Sequence, residues 1–415
     1  MAETSRERVL KAFNHEQPER VPVDLGSNRA TSINAIAYHR LRKFLGLPDK
    51  PIRVYDVVQH LAIVDDDVLE RFGVDLIDIG RAFYDDMSTW KPWQLPDGTD
   101  CLIPSWTNIG KEGDDWYLYS PDGRRLGIQK PHMFNFDQIH WPFVDGIPDD
   151  LSNLQEILSN EVMWNIPKPP NLATTTLSDL AQGVKTLRNS TDKAIVTPGI
   201  GRFIEMGQYL CRNDNFLMML AAEPENVHRL LDRLLEIYLP QLEQFLSAVG
   251  QYVDIVRFGD DLGMQTGPQI SPDMYREFFK PRHSALWQKV KEMCDAKVAL
   301  HCCGGIRPLL EDLIDAGLDG INPVQTSCVG MDPAELKAEF GDRLCFWGGG
   351  CDTQSVLPRA TPEQVRSHVL ERLEIFSPGG GFIFAQIHNI TAEVPPENIV
   401  AMFDAVAEFN GRKVE

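Results

Sequence analysis

Short apolar segments alternate with longer amphipathic ones along most of the chain, a pattern typical of βα units. Several amphipathic segments begin at a capping residue followed by proline, as at Ser271, Asp332 and Thr361, and these predict helices. Eight apolar segments have the length of buried strands: residues 21–26, 74–80, 193–197, 253–259, 298–301, 318–323, 344–348 and 381–385. Eight strands, most of them followed by a helix, are what a closed (β/α)8 barrel requires.

The predicted fold class is therefore α/β, with a single (β/α)8 TIM barrel over residues 1–415. A doubly wound open sheet is the competing fold, but it normally carries a glycine-rich phosphate-binding turn after its first strand. The turn here is Asp24-Leu25-Gly26-Ser27-Asn28, which lacks that pattern. Further helices are predicted over residues 5–13, 33–45, 57–72, 177–190 and 203–248, and from residue 395 onwards.

Residues 83–166 interrupt the alternation. Six of the eight tryptophans lie there, among Pro-Asp-Gly turns at Pro96 and Pro121. Alternating side chains over residues 115–119 predict antiparallel hairpins around those turns. We interpret the stretch as a Trp-rich antiparallel segment inserted into the barrel, which serves as a lid or an interface, or whose aromatic residues only build a small core of its own.

Composition argues against several classes of protein. The formal net charge is −20 and no basic patch is present, whereas nucleic-acid binding requires clustered Lys and Arg. The first residues lack a basic stretch followed by an apolar one, and no run of about 18 apolar residues occurs. We therefore expect a cytoplasmic protein with no membrane partner. The sequence does not fix the oligomeric state, and a homodimer is compatible with it.

Cysteines are concentrated in one part of the chain. There are eight, and six of them lie from Cys294 to Cys351. Eight thiols in 415 residues are too few for a disulfide scaffold, and in a reducing compartment their clustering indicates metal or redox chemistry.

One apolar run, residues 298–300, ends in His301-Cys302-Cys303-Gly304-Gly305. Residues two apart on an extended chain point to the same side, so His301 and Cys303 can bind one ion while Cys302 faces the other way. The two glycines allow a sharp turn after the thiols. This segment resembles half of a zinc site.

Polar side chains follow other predicted strands as well, and the carboxyl ends of strands are where barrel enzymes place their catalytic groups. These candidates are Asp260, Asp261, Gln325, Cys351, Asp352, Gln386 and His388. Zinc accepts thiolate and imidazole, and a catalytic zinc keeps three protein ligands with one open position. The candidate ligands are His301, Cys303, His388 and Cys351, the last of which is also explained as a small packed residue. Asp260 and Asp261 either contact substrate or cap the following segment.

Several motifs together resemble the uroporphyrinogen decarboxylase superfamily, and within it the cobalamin-dependent methyltransferases and demethylases. They are Ser5-Arg6-Glu7-Arg8-Val9, Arg20-Val21-Pro22-Val23, Pro198-Gly199, Gly267-Pro268-Gln269-Ile270-Ser271-Pro272 with Tyr275, His301-Cys302-Cys303-Gly304 and Pro395-Pro396-Glu397-Asn398-Ile399. The motifs cover nearly the whole chain outside the Trp-rich stretch. The resemblance implies a (β/α)8 barrel, in agreement with the strand count.

Two departures distinguish branches of that superfamily. The decarboxylases carry an arginine-rich segment after the first strand that holds substrate carboxylates, whereas this chain has residues 24–29 with a single arginine, Arg29. The methyltransferase branch carries His-x-Cys after a strand, which His301 and Cys303 match. Its third ligand, a Cys before the final helix, aligns here with His388, a substitution that changes the softness of the ligand set.

The resemblance implies a zinc-dependent, corrinoid-linked methyltransferase in which Zn²⁺ is held by His301, Cys303 and His388. The corrinoid is carried by a partner protein, and the small-molecule substrate is a methoxylated, aromatic methyl donor or a thiol acceptor. Asp260 and Asp352 are the predicted catalytic carboxylates, and the predicted substrate-binding residues are Asp261, Gln265, Gln325 and Gln386. Two alternatives remain: a metal-free decarboxylase of the uroporphyrinogen type, and a non-catalytic barrel that binds a corrinoid or another small ligand.

Overall fold

The computed structural model describes residues 3–165 and 176–413. Its α-helices are α1 (Ser5–Phe13), α2 (Ala35–Phe44), α3 (Asp66–Phe72), α4 (Leu154–Asn160), α5 (Leu177–Ser190), α6 (Ile204–Cys211), α7 (Asn213–Ala222), α8 (Pro224–Val249), α9 (Pro272–Met274), α10 (Lys280–Met293), α11 (Leu310–Ala316), α12 (Pro333–Phe340), α13 (Pro362–Phe376) and α14 (Pro396–Phe409). No helix within these ranges combines the length and the apolar character needed to cross a membrane.

The strands form one parallel sheet, a mixed five-stranded sheet and two smaller antiparallel sheets. They are β1 (Ile33–Asn34), β2 (Ile52–Asp56), β3 (Leu61–Ala62), β4 (Leu76–Asp78), β5 (Trp90–Gln94), β6 (Asp100–Pro104), β7 (Ile109–Glu112), β8 (Asp115–Tyr119), β9 (Arg125–Gln129), β10 (Asp137–Gln138), β11 (Ala194–Pro198), β12 (Ile255–Gly259), β13 (Gly263–Met264), β14 (Gly267–Pro268), β15 (Lys297–His301), β16 (Gly320–Asn322), β17 (Cys345–Trp347) and β18 (Phe382–Ile383). The parallel sheet has seven strands in the order β18-β17-β16-β15-β12-β11-β4. The fold is thus α/β with a TIM-barrel-like sheet.

The first predicted strand, residues 21–26, is reduced to an isolated bridge. Val23 pairs in parallel with Phe384, the amide of Asp24 donates to the carbonyl of Phe384 (2.8 Å), and the amide of Asp75 donates to the carbonyl of Val23 (2.7 Å). This segment therefore contacts both ends of the seven-stranded sheet. It stays short because Pro22 has no N–H to donate and Gly26 turns the chain with φ +86°.

Helix α1 fills the amino-terminal end of the curled sheet. Its Val9, Ala12 and Phe13 share one buried cluster with inward-facing strand residues, namely Leu76, Ala194, Val196, Ile255, Ala299, Cys345, Trp347, Ile383 and Ala385. A Cβ atom on Gly320 would lie 2.6 Å from the Phe13 ring. Small strand residues therefore leave the space that α1 occupies.

One helix prediction, over residues 57–72, was wrong in detail. Residues 57–72 contain strand β3 and only the short helix α3, because the preceding β2 alternates buried and half-buried residues and pairs with β3 across a turn in which His60 has φ +53°. The long helical region predicted over 203–248 is present and consists of three helices, α6 to α8. The breaks fall at Arg212, with φ +73°, and before Pro224.

Antiparallel hairpins occur at both predicted turns: β5 pairs with β6, and β8 with β9. The prediction of a separate insertion beginning near residue 83 is not confirmed. Strand β6 also pairs in parallel with β2, so this part of the structure is continuous with residues well before 83.

We expect Phe13→Ala to lower the free energy of unfolding by about 3–5 kcal/mol, because a buried phenyl group is removed and the fixed sheet cannot close the cavity. Phe13 is 3% exposed, whereas Phe44 at the end of α2 is 54% exposed. Phe44→Ala is the matched control, with an expected change within about 0.5 kcal/mol. Urea unfolding measures the free energy of unfolding of both variants. Equal losses of stability would contradict the conclusion that Phe13 of α1 fills space inside the sheet.

Candidate metal centre

His301 and Cys303 lie on one side of the chain at the end of β15, as the alternation predicted. Cys302 faces the opposite way: it is 1% exposed, and its Sγ accepts a hydrogen bond from the amide of Leu262 (3.1 Å). Cys303 Sγ lies 3.5 Å from His301 Nε2. The two candidate ligands therefore share one space, which Cys302 does not enter.

Close contact between two loops fixes the position of Cys303. Gly304 has φ +92°, and a Cβ atom there would lie 2.4 Å from the carbonyl carbon of Gly263. The amide of Cys303 also donates to Asp261 Oδ1 (2.8 Å). No side chain fits between these backbones, so a glycine is required where the chain turns after the thiol.

His388, from the loop after β18, completes the group. One ligand atom from each of His301, Cys303 and His388 lies within 4.8 Å of the other two, and the two imidazole centroids are 5.6 Å apart. The three donors therefore face one common space, where small side-chain rotations would bring all of them to the usual zinc distances of about 2.0–2.3 Å.

Side-chain amides orient both histidines. His301 Nδ1 lies 3.3 Å from Asn322 Oδ1, and the Nδ2 of that asparagine donates to the carbonyl of Trp347 (3.1 Å). His388 Nδ1 lies 3.0 Å from Asn389 Oδ1, and Nδ2 of Asn389 donates to Gln59 Oε1 (2.9 Å). In both cases the asparagine oxygen can only accept, so Nδ1 carries the proton and Nε2 is left free as a ligand.

A cavity of about 430 Å³ opens onto this group, large enough for a small molecule. Its walls are Gly263, Met264, Gln265, Cys303, Gly304, Gln325, Thr353, Gln354, Ile387 and His388. The predicted substrate-binding residues Gln265 and Gln325 are among them. Gln325 also accepts a hydrogen bond from the amide of Gly304 (2.9 Å), which ties the cavity wall to the turn after Cys303.

Burial controls the protonation of the three candidate ligands. Burial, together with the charge of Arg257, holds the pKa of His301 well below its ordinary value, and burial also lowers the pKa of His388. Burial, together with the Asp261 carboxylate, raises the pKa of the Cys303 thiol well above its ordinary value. At neutral pH both imidazoles are therefore in the neutral form that binds metals, while the thiol must lose a proton to do so.

Asp261 borders the candidate metal group. Its Oδ1 lies 3.6 Å from His301 Nε2, besides accepting from the Cys303 amide, and burial raises its pKa. This predicted substrate-binding residue therefore contacts the ligand loop directly.

Asp260, predicted to be catalytic, has a structural position instead. It is 1% exposed and accepts hydrogen bonds from the amides of Phe203 (2.8 Å), Ile204 (3.2 Å) and Glu205 (2.8 Å) at the start of α6. His283 Nε2 is 3.0 Å from its Oδ2. Its oxygens are occupied by a helix amino terminus and an imidazole, which corrects the prediction.

Two other predicted site residues, Asp352 and Gln386, lie outside the group formed by His301, Cys303 and His388. Asp352 Oδ1 accepts from the amides of Gln354 and Ser355 and from the Ser355 hydroxyl, so it caps a turn instead of facing substrate. Gln386 is fully buried and donates to the carbonyl of Ser32 (3.3 Å). Neither borders the cavity, although the adjacent Thr353 and Ile387 do.

Cys351 was the alternative third ligand. It is fully buried, and the set of candidate ligands within the described residues joins His301 and Cys303 to His388 and does not include it. The thiol of Cys351 is therefore a packed side chain.

Sequence reasoning missed a charged group beside the site. Arg202 and Glu205 lie over Gly259, whose Cβ position is 3.6 Å from both Arg202 Nε and Glu205 Oε2. Gly259 is the register partner of His301. Tyr209 donates to Glu205 Oε1 (2.6 Å), and burial raises the pKa of Glu205 to about 7. Both charged residues follow Pro198-Gly199 at the end of β11, a strand-end position that signals functional residues in barrels.

The fold and this site define a class: TIM-barrel-like α/β proteins with a His-x-Cys and a distant His gathered at the carboxyl ends of the strands. Residues 150–409, more than half of the chain, match the family model for uroporphyrinogen decarboxylase (URO-D). The chain therefore belongs to the uroporphyrinogen decarboxylase family, as the motifs predicted.

Individual relatives agree with that assignment. The uroporphyrinogen decarboxylase of Psychromonas ingrahamii is 31% identical over 195 residues, 46% of this chain and 51% of the relative. That of Alkalilimnicola ehrlichii is 28% identical over 197 residues, 47% and 50% of the two chains. These matches span about half the length of the curated relatives. A methyltransferase from Methanosarcina mazei has a similar structure (TM-score 0.58, 18% identity, 98% of this chain and 99% of that one), which supports the fold.

We expect Asp260→Ala to lower the free energy of unfolding by about 2–4 kcal/mol, because three amides and an imidazole lose a buried acceptor. The bound-metal content should stay unchanged. Asp273→Ala is the control, since that carboxylate is exposed and pairs with the exposed Arg276. Thermal unfolding measures the stability, and elemental analysis measures the bound-metal content. A stable variant that has lost only activity would restore the catalytic assignment.

Proposed function

We propose that the protein is a zinc-dependent methyltransferase that works with a corrinoid-carrying partner protein. Nε2 of His301, Sγ of Cys303 and Nε2 of His388 would hold the ion. The observation that supports this most directly is the placement of these donors within 4.8 Å of one another beside a small-molecule cavity. A thiolate with two imidazoles suits zinc, and three ligands leave one coordination position open.

Bound zinc supplies a Lewis acid, which polarises the ether oxygen of a methoxylated substrate or lowers the pKa of an acceptor thiol. The chain supplies orientation: Asn322 and Asn389 hold the imidazoles, and Asp261 holds the backbone of Cys303. Gln265 and Gln325 in the cavity wall would bind polar groups of the substrate.

We favour demethylation of a methoxylated, aromatic substrate, with thiol methylation as the second form of the same chemistry. In this reaction the O–CH3 bond would break, a Co(I) corrinoid carried by the partner would accept the methyl group and supply both electrons of the new bond, and the aryl oxygen would leave as an anion. That anion needs one proton. Glu205 holds a proton near neutral pH because its pKa is about 7, and it lies over the strand residue paired with His301. We assign it as the proton donor.

Decarboxylation is the second candidate function, because the curated relatives bear that name. The stretch that would have to hold substrate carboxylates is poorly suited to the task. Asp24 is fully buried, and Arg29 Nε already pairs with Asp56 Oδ2 at 2.6 Å. We therefore rank decarboxylation below methyl transfer.

Zinc content tests the metal assignment. The purified wild-type protein should hold about one zinc per chain, and Cys303→Ala should hold little or none. Cys351→Ala is the matched control, since it removes a buried thiol outside the ligand group and should keep the metal. Inductively coupled plasma mass spectrometry measures both, with thermal unfolding as the check on folding.

Methyl transfer is assayed with cob(I)alamin and a methoxyphenol under strictly reducing conditions, by the absorbance of methylcobalamin. Turnover that disappears in Cys303→Ala but not in Cys351→Ala supports the proposal. Porphyrinogen decarboxylation by chelator-treated protein would favour the second candidate. Zinc and ligand binding without any turnover would favour a binding protein.

Zinc affinity should rise with pH. The pKa of the Cys303 thiol is raised by burial and by Asp261, so the thiol is protonated at neutral pH and zinc must displace that proton. Below the thiol pKa, affinity should increase about tenfold per pH unit, with about one proton released per ion. Competition with a chromogenic chelator between pH 6 and 8 measures the slope, and a flat profile would contradict a thiolate ligand.

A further inference from the structure

Arg257 lies in the middle of β12, and its side chain faces the interior of the curled sheet. Its neighbours on the strand fix that direction. Phe258 packs against Trp287 of α10, with ring centroids 6.4 Å apart, so Phe258 faces the helices. Ile255 lies in the interior cluster with α1. Residues two apart share a face, so Arg257 points inward, one layer above Ile255.

In the part of the chain that the structure describes, the guanidinium of Arg257 has no partner of its own. Within residues 3–165 and 176–413, no hydrogen bond or ion pair to its side chain is found, although it is only partly exposed. A guanidinium carries five N–H donors, and leaving them unpaired inside a protein costs free energy. Burial and the nearby charges of Arg202 and Arg29 lower its pKa to about 10, so it remains charged at neutral pH.

Arg257 is also adjacent to the candidate metal group. It is the register partner of Ala299, and Gly259, two residues further along its strand, is the partner of His301. Arg202 lies over Gly259 with its Nε 3.6 Å from the Cβ position. Both guanidinium groups therefore lie on the β12 side of His301, behind the residues that line the cavity.

The carboxylates around Arg257 are engaged elsewhere. Asp78 Oδ1 accepts from the Tyr84 hydroxyl (2.8 Å) and from the amide of Gly80 (2.6 Å). Glu205 accepts from Tyr209 and lies 3.8 Å from Arg202 Nε. In residues 3–165 and 176–413 neither carboxylate pairs with Arg257, whose donors stay available to a ligand.

We propose that Arg257, assisted by Arg202, forms an anion-binding subsite, so that the small molecule bound beside His301 and Cys303 carries a carboxylate or sulfonate group. The planar guanidinium matches such a group with two parallel hydrogen bonds. This inference rests on the proposed function for the identity of the reacting centre, but the subsite itself does not depend on zinc.

Binding of simple anions tests the subsite. Isothermal titration calorimetry is performed on the full chain, both zinc-loaded and chelator-treated, with benzoate, benzenesulfonate and neutral benzamide as probes. Wild-type protein should bind one or both anions and not benzamide. Comparing the two anions shows whether the subsite prefers a planar or a tetrahedral head group.

Arg257→Met should weaken anion binding by about tenfold to one-hundredfold, the effect of losing a charge-assisted pair. Arg257→Lys keeps the charge but cannot form two parallel hydrogen bonds, so it should lose less anion affinity than Arg257→Met. If the methionine variant fails to fold, the lysine variant decides the outcome. Arg366→Met is the control, because Arg366 pairs with Glu408 at the surface, and it should bind like wild type.

Saturable anion binding that depends on Arg257 in both zinc-loaded and chelator-treated protein supports the proposal. Absence of anion binding to wild type, or equal binding by wild type, Arg257→Lys and Arg257→Met, would overturn it. Zinc content of the same samples separates the two proposals. Protein that takes up no zinc when zinc is supplied, yet binds benzoate through Arg257, would refute the metal assignment and leave the subsite standing.

Discussion

The inward-facing side of the parallel strands is the constraint on which the rest of the structure depends. Every second residue of each strand projects into a narrow interior, where only small side chains, inserted aromatic rings or paired polar groups can fit. At the amino-terminal end the strands supply mainly small and apolar residues, and Phe13 of α1 fills the remaining space. At the carboxyl-terminal end the same positions carry Asp78, Arg257, His301 and Asn322. The candidate site therefore lies in the part of the interior at the carboxyl-terminal ends of the strands.

The orientation of the imidazoles follows from this crowding. Asn322 lies on β16 beside His301, so its amide reaches the ring nitrogen of the neighbouring strand, and its other amide atom is held by the carbonyl of Trp347 on β17. A lateral chain of hydrogen bonds across three strands therefore determines which nitrogen of His301 faces the cavity. Rigid strands hold such a ligand more precisely than a loop can. The loop residues Cys303 and His388 depend instead on contacts of their own, with Asp261 and Asn389.

Much of the fold and part of the site could be predicted from the sequence. The spacing of His301 and Cys303 implied a shared side, because strand alternation is a local property, and seven of the eight strands predicted from apolar runs occur in the parallel sheet. The roles of Asp260 and Asp352 could not be predicted, since a carboxylate after a strand can cap a distant helix or a local turn, and only tertiary structure decides. Residues 57–72 were misassigned because a tight turn at His60 leaves no clear signal in the apolar pattern.

The sequence around Arg257 did indicate an unusual position, although the pattern of apolar runs does not show it. A charged residue at an inward position of a strand, between Ile255 and Gly259, needs either a partner from the protein interior or a bound ligand. The carboxyl groups nearby have raised pKa values, about 6 for Asp78 and about 7 for Glu205, chiefly because of burial, so near neutral pH they offer less than their full negative charge. Within the described part of the chain, the Arg257 guanidinium therefore has no carboxylate paired with it. An anionic ligand supplies the missing charge, and its binding is favoured because the guanidinium groups lie in a water-poor space before the ligand arrives.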